Sequence, residues 1–140
     1  MRYYFVAIGG IGMSGLAKFL FEQGHEVSGS DVCESTYTHK LEALGIKVFI
    51  GHDAESLPED CIVVASTAIK EDNPELQKAR QLGLPVLHRS DLLAQIAKDF
   101  QKKACPPAFL PSCPLFIGYA GTHGKTTTSG FAAYILEKSG

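Results

Sequence analysis

The stretch Arg2-Tyr3-Tyr4-Phe5-Val6-Ala7-Ile8-Gly9-Gly10-Ile11-Gly12-Met13-Ser14-Gly15 decides the fold. Residues 2–8 are aromatic and aliphatic, the composition of a strand buried inside a sheet. A glycine run follows at once. Beyond it, Met13, Leu16, Ala17, Leu20 and Phe21 recur at helical spacing over residues 13–23, and Gly24 stands where such a helix ends. Strand, glycine loop and helix in that order predict a loop that holds phosphate. Gly10 is expected to permit the tight turn, Gly12 to let the backbone approach a diphosphate, and Gly15 to let helix and strand pack closely. The amides that open the helix, around Ile11, Gly12, Met13 and Ser14, then face the anion along the positive helix end.

Working outward, Asp31 closes a second predicted strand, residues 26–30, about 20 residues after Gly10, where a ribose-binding acid belongs. The plainer alternative for Asp31 is a solvated strand end. Taken alone, this loop suits NAD as well as any other dinucleotide-like ligand, so a dehydrogenase and a different nucleotide binder both stay open.

The rhythm then repeats. A short helix over 38–44 is stopped by Gly45, and Lys47–Ile50 and Ile62–Ala65 read as strands. Residues 74–82 are helical with Pro74 in the first turn, 85–87 form a short strand, and Ser90 is placed to cap a helix over 91–99. This alternation predicts an α/β fold, a Rossmann-like parallel sheet with helices on both faces. Four of the seven prolines fall within 102–114, where neither helix nor interior strand should persist. Residues 115–120 restart as a strand and 126–138 resume helical character. Three segments are expected: a nucleotide-binding domain over 1–101, a proline-rich linker over 102–114, and over 115–140 the start of an ATP-binding α/β domain. A strand, a loop and one helix bury no core by themselves, so that second domain reads as incomplete.

Bulk properties exclude several classes. A net charge of −2 offers no broad basic face for nucleic acid or an anionic membrane. The apolar runs are too short to span a bilayer, and the N-terminus carries no basic-then-apolar signal pattern, so an intracellular setting is expected. Cys33, Cys61, Cys105 and Cys113 form no CxxC and lack the spacing of common zinc sites; plain thiols are expected.

A second glycine loop, Gly121-Thr122-His123-Gly124-Lys125-Thr126-Thr127, sits between a predicted strand and helix. Its amides can cradle phosphate oxygens, Lys125 can reach the β- and γ-phosphates, and the Thr126 hydroxyl can ligate Mg²⁺. The general pattern asks for glycine where Tyr119 stands, so the match is incomplete. His123 is more simply a residue lining the loop than a catalyst. A nucleoside triphosphate site does not suit a simple dehydrogenase. Two phosphate loops point to ATP-driven chemistry on a nucleotide-carrying substrate.

With both loops read, the chain resembles the Mur ligases of bacterial peptidoglycan synthesis. The resemblance rests on Gly9-Gly10-Ile11-Gly12-Met13-Ser14-Gly15, Val27-Ser28-Gly29-Ser30-Asp31, Ser66-Thr67-Ala68-Ile69, Asn73-Pro74-Glu75, Pro85-Val86-Leu87-His88-Arg89 and the second loop. It implies a three-domain cytoplasmic enzyme. The first domain holds the UDP part of UDP-N-acetylmuramate, the second binds Mg²⁺ and ATP, and the third helps bind ATP and the amino acid. ATP would phosphorylate the substrate carboxylate, and the amine of L-alanine would attack the acyl phosphate. Carried over, Gly10, Ile11, Gly12, Met13, Ser14 and Gly15 would hold the diphosphate, and Ser30 and Asp31 would sit near the uridine. Ser66, Thr67 and Ala68 would line the same crevice. His52 would touch phosphate, or be an ordinary surface-loop histidine. Gly121, Thr122, His123, Gly124, Lys125, Thr126 and Thr127 would hold the ATP phosphates, with Thr126 on Mg²⁺. The segment over 104–114 is not part of the family pattern. A muropeptide-recycling ligase of the same family, and a non-catalytic nucleotide-sensing module, are the alternatives.

Overall fold

The computed structural model describes residues 1–104. The expected linker beyond residue 104, the strand at 115–120 and the second glycine loop lie outside the described residues. Ten elements run in the order β1 (Arg2–Val6), α1 (Ile11–Glu22), β2 (Glu26–Asp31), α2 (Thr36–Ala43), β3 (Lys47–Ile50), a 3-10 turn at Ala54–Ser56, β4 (Ile62–Ala65), α3 (Pro74–Gln81), β5 (Val86–His88) and α4 (Arg89–Ala104). The strands form one all-parallel sheet in the order β3-β2-β1-β4-β5. This is the Rossmann-like α/β arrangement the alternation predicts.

Central strand β1 explains the two-sided core. Side chains alternate across a strand, so neighbours enter opposite layers. Tyr3, Phe5 and, just beyond, Ile8 join Met13, Ala17 and Leu20 of α1 and Leu92 of α4. Tyr4 and Val6 point the other way, to Leu76 and Ala79 of α3 and to Leu57 and Cys61. Tyr4, Phe5, Val6 and Ile8 have no exposed surface. Burial of each such side chain favours folding by roughly 1.5–3 kcal/mol. A strand wetted on neither face needs no polar alternation, hence its unbroken apolar run.

Several boundaries differ from the sequence reading. The first strand ends at Val6 rather than residue 8, because Ala7 adopts a left-handed backbone, φ 63°. Ile8 nevertheless donates to Ser30 O at 2.8 Å, so the loop stays anchored to β2. α2 starts at Thr36, set by a reciprocal cap in which Ser35 Oγ accepts from the Thr38 amide and Thr38 Oγ1 accepts from the Ser35 amide. At α4 the cap is not Ser90. The helix begins at Arg89, and His88 Nδ1 accepts from the Ser90 amide at 3.2 Å. The same helix runs on through residues 102–104, which read as linker. Lys102, Lys103 and Ala104 are good helix formers, and the first proline comes only at Pro106.

Glycine at position 15 is not what lets α1 approach the sheet: a Cβ there would meet nothing within 4 Å. The tight approach lies at Gly29, which pairs with Phe5 in the β1–β2 register. A Cβ on Gly29 would sit 2.4 Å from Phe5 O and 2.9 Å from Ile8 Cδ1. Gly29→Ala is therefore expected to destabilise by about 1–3 kcal/mol, the usual range for overpacking. Gly15→Ala should stabilise by about 0.5–1 kcal/mol through helix propensity alone. Urea unfolding of both variants beside the parent chain checks the opposite signs.

Candidate functional site

The strand order reverses at β1. From β1 the chain winds through β2 to β3 on one side, then returns to place β4 and β5 on the other. In such sheets the loops leaving neighbouring strands β1 and β4 part to opposite faces, and a crevice opens at their carboxyl ends. The residues at that edge are the glycine loop after β1 and the Ser66-Thr67-Ala68 turn after β4.

The glycine loop is shaped by a bond within its own backbone and by a bond to Asp31. Ala7, not Gly10, takes the left-handed backbone, while Gly10 has φ −64° and ψ 143°, open to any residue. The expectation that Gly10 supplies the tight turn is thus corrected: the reversal happens three residues earlier, closed by Gly10 N–H donating to Ala7 O at 3.3 Å. A left-handed non-glycine costs on the order of 1–3 kcal/mol and persists only where its surroundings impose it. Gly9 is the residue that must lack a side chain. A Cβ there would lie 2.9 Å from both Asp31 Oδ2 and Thr38 Cγ2. The Gly9 amide instead donates to Asp31 Oδ2 at 2.8 Å. Asp31 therefore ties the loop to the end of β2, whatever else it binds.

Gly10 is the N-cap of α1 and offers no side-chain cap, and the first turn carries no acid. The first helical bonds come from the Met13 and Ser14 amides, both to Gly10 O, at 3.0 and 2.8 Å. The amides of Ile11 and Gly12 precede them at the exposed tip, on the positive end of the helix. Backbone donors beside a positive helix end form an anion site. Met13 and Ser14 contribute no side chain to it. Met13 is buried in the core, and Ser14 Oγ donates to Ile11 O at 3.1 Å.

After β4, Ser66 O accepts from the Ile69 amide at 3.1 Å, forming a turn that leaves Thr67 and Ala68 exposed. Ser30 and His52, grouped with the nucleotide on sequence grounds, have their side chains committed elsewhere. Both meet Glu75, a carboxylate with no exposed surface at the start of α3. Tyr4 Oη donates to Glu75 Oε1 at 2.7 Å, and Ser30 Oγ donates to Oε2 at 2.7 Å. His52 Nδ1 lies 2.9 Å from Oε2. The same Nδ1 lies 3.0 Å from Ser30 Oγ, so the ring tautomer sets its role in the cluster. Burial, then the hydrogen bond to Glu75, pushes the Tyr4 hydroxyl far above its ordinary range. It stays a neutral donor. Asn73, the N-cap of α3, accepts from the Glu75 and Leu76 amides at 2.9 and 3.2 Å and fixes the turn that aims Glu75 inward.

Sequence reasoning saw Asn73-Pro74-Glu75 only as part of a resemblance. An acid in a first helical turn ordinarily reads as solvated, and its partners lie 71, 45 and 23 residues away. Among the described residues no group of three or more His, Cys, Asp or Glu side chains could hold a metal, and no helix is long and apolar enough to cross a membrane. The residues expected to bind ATP and Mg²⁺ lie outside the described residues.

Comparison with known proteins agrees with this architecture. A model of the Mur ligase family catalytic domain matches residues 2–101. The UDP-N-acetylmuramate–L-alanine ligase of Carboxydothermus hydrogenoformans is 54% identical over an alignment covering 100% of this chain and 27% of that protein. Its counterpart in Streptomyces coelicolor is 48% identical, covering 98% of the chain and 27% of the relative. The chain thus spans about a quarter of the length of the curated relatives it matches. Among solved structures, the UDP-N-acetylmuramate–alanine ligase of Thermotoga maritima superposes with a TM-score of 0.70 at 36% identity, over 72% of this chain and 24% of that one. The UDP-N-acetylmuramate:L-alanyl-γ-D-glutamyl-meso-diaminopimelate ligase of Neisseria meningitides gives 0.82 at 33% identity, over 99% and 40%.

Glu75→Ala strips Tyr4, Ser30 and His52 of their shared partner and is expected to cost about 3–5 kcal/mol of stability in urea unfolding. Tyr4→Phe should cost about 1–3 kcal/mol by leaving Oε1 short of a donor. Because folding raises the Tyr4 value, its contribution is complete below the ordinary tyrosine value of 10.0 and is lost as pH climbs above it. The difference between parent and Tyr4→Phe should therefore be constant from pH 7 to 9 and shrink above 10.

Proposed function

The chain belongs to the Mur ligase family, and from that premise we propose that it is the nucleotide-gripping part of an ATP-dependent ligase that joins L-alanine to UDP-N-acetylmuramate. The carrying observation is the bare amino end of α1, with the Ile11 and Gly12 amides exposed at the β1–β4 switch point. The high identity to relatives named for that reaction supports the choice of substrate.

In this reading the backbone of Gly10, Ile11, Gly12, Met13, Ser14 and Gly15 holds the diphosphate. Asp31, besides holding the Gly9 amide, turns its second oxygen to the ribose. Ser66, Thr67 and Ala68 line the far wall of the crevice. Ser30 and His52 act through the Glu75 network, setting the ends of β2 and β3 on which the uridine rests. Gly121, Thr122, His123, Gly124, Lys125, Thr126 and Thr127 hold the ATP phosphates, with Thr126 on Mg²⁺ and Lys125 neutralising the transferred phosphoryl group. That group passes to the substrate carboxylate. The L-alanine amine then attacks the acyl phosphate, and inorganic phosphate leaves. The setting is the bacterial cytoplasm. The 140 residues alone grip the UDP-sugar without turnover, because ligation needs ATP, metal and amine held together with the two further domains of the family. The TM-score of 0.82 to the Neisseria enzyme favours, as a second reading, a ligase that takes a peptide in place of the amino acid.

Calorimetric titration of the chain with UDP-N-acetylmuramate and, separately, NAD is the test. Binding of the UDP-sugar and not of NAD is expected, and binding of NAD alone would sink the reading. Gly12→Leu places a side chain over the exposed amides and should abolish UDP-sugar binding while cooperative thermal unfolding is retained.

A further inference from the structure

We propose that Arg89 clamps the diphosphate from the β5 side of the crevice, making this a site selective for anionic nucleotides over their uncharged nucleosides. The inference rests on the nucleotide-gripping reading above and adds the residue that supplies the charge. Arg89 is the first residue of α4, directly after β5. Its guanidinium lies over the amino end of α1. An ideal Cβ on Gly12 would be 2.7 Å from Arg89 Nη1, 3.4 Å from Cζ and 3.6 Å from Cδ. The space that glycine leaves in front of the helix tip is therefore occupied by a cation as well as open to a ligand.

This placement is electrostatically unfavourable as it stands. The amino end of a helix carries partial positive charge, and a cation held against it is repelled. No hydrogen bond or ion pair joins the guanidinium to another described residue, so nothing among them offsets that repulsion. An anion between the guanidinium and the Ile11 and Gly12 amides would reverse the sign of both interactions at once. The planar fork of arginine suits two oxygens on one phosphate or on adjacent ones, which a diphosphate provides and a nucleoside lacks. The base of the side chain is held in place. His88 Nδ1 accepts from the Ser90 amide at 3.2 Å and lies 2.6 Å from Ser90 Oγ, pinning the backbone on either side of Arg89. Arg89 is an exposed residue and so reachable from solvent.

UDP and uridine, titrated into the 140-residue chain and its Arg89→Gln and Arg89→Lys variants at low and high salt, test the proposal. The parent should bind UDP with an affinity that falls as salt rises. Arg89→Gln should bind UDP about 10- to 100-fold more weakly, with a flatter salt dependence. Uridine affinity should be the same in parent and variant. Arg89→Lys should keep the salt dependence and recover part of the affinity, since it restores charge without the fork. A merely structural role for Arg89 would weaken UDP and uridine alike and leave the salt dependence unmoved, which overturns the proposal. Equal UDP affinity in parent and Arg89→Gln overturns it too. If the parent chain binds no UDP at all, the nucleotide-gripping reading itself fails and takes the clamp with it. Should Arg89→Gln lose cooperative unfolding, the Arg89→Lys comparison decides alone: a UDP affinity and salt dependence identical to the parent would then count against the fork.

Discussion

A carboxyl group with no access to water must find its hydrogen-bond partners within the protein, and Glu75 draws them from three parts of the chain. Tyr4 comes from the middle of β1, Ser30 from the end of β2 and His52 from the turn after β3. Glu75 itself opens α3. The four residues join β1, β2 and the turn after β3 to the start of α3 on one face of the sheet. Each partner satisfies a polar atom that would otherwise cost on the order of 1–3 kcal/mol to bury. Hydrogen bonds have defined distances, so the network sets where the tips of β2 and β3 stand relative to β1. Since Asp31 follows Ser30 and Gly51 precedes His52, the rim of the crevice is positioned by a cluster that need not touch any ligand.

On the opposite face the logic is steric. Gly29 brings β2 against Phe5 and Ile8, and Gly9 brings the loop against Asp31 and Thr38. These two glycines seat the first loop, and Asp31 completes the join with one hydrogen bond to the Gly9 amide. The exposed amides of Ile11 and Gly12 follow from that seating. The product is an edge with backbone donors at the amino end of α1, the feature on which the proposed phosphate grip rests.

Much of this was legible in the chain. The apolar run in β1, the glycine loop and the spacing of Met13, Leu16, Ala17 and Leu20 specify strand, turn and helix through local chemistry, and the strand–helix alternation specifies a parallel sheet. Local chemistry also misled. Glycine in a fingerprint invites a role by position, yet Gly10 has an ordinary backbone, a Cβ on Gly15 would meet nothing within 4 Å, and the unfingerprinted Gly29 has no room for one. Ser90 has the composition of a cap, but the chain turns into α4 one residue sooner and the ring of His88 takes that part. Glu75 and Arg89 were beyond reach for a different reason. Their significance lies in partners far along the chain, and neither residue differs in type from one exposed on any helix. Burial of the first and the placement of the second over Gly12 are properties of the assembled sheet.

Ala7 carries a further consequence. A left-handed alanine is not a conformation the free chain visits often, and here it is enforced by the Ile8 bond to Ser30, by Gly9 against Asp31 and by the Gly10 bond back to Ala7. The loop therefore acquires its shape when the sheet closes, not when a ligand arrives. Under the proposed function, a nucleotide meeting it would lose little to ordering the backbone, and association would resemble docking onto a preformed template. The corollary is that the template is only as durable as the strain holding it. A substitution that loosens the end of β2, even one far from the phosphate, lets Ala7 relax to the right-handed side and dissolves the cradle while the rest of the sheet stays folded.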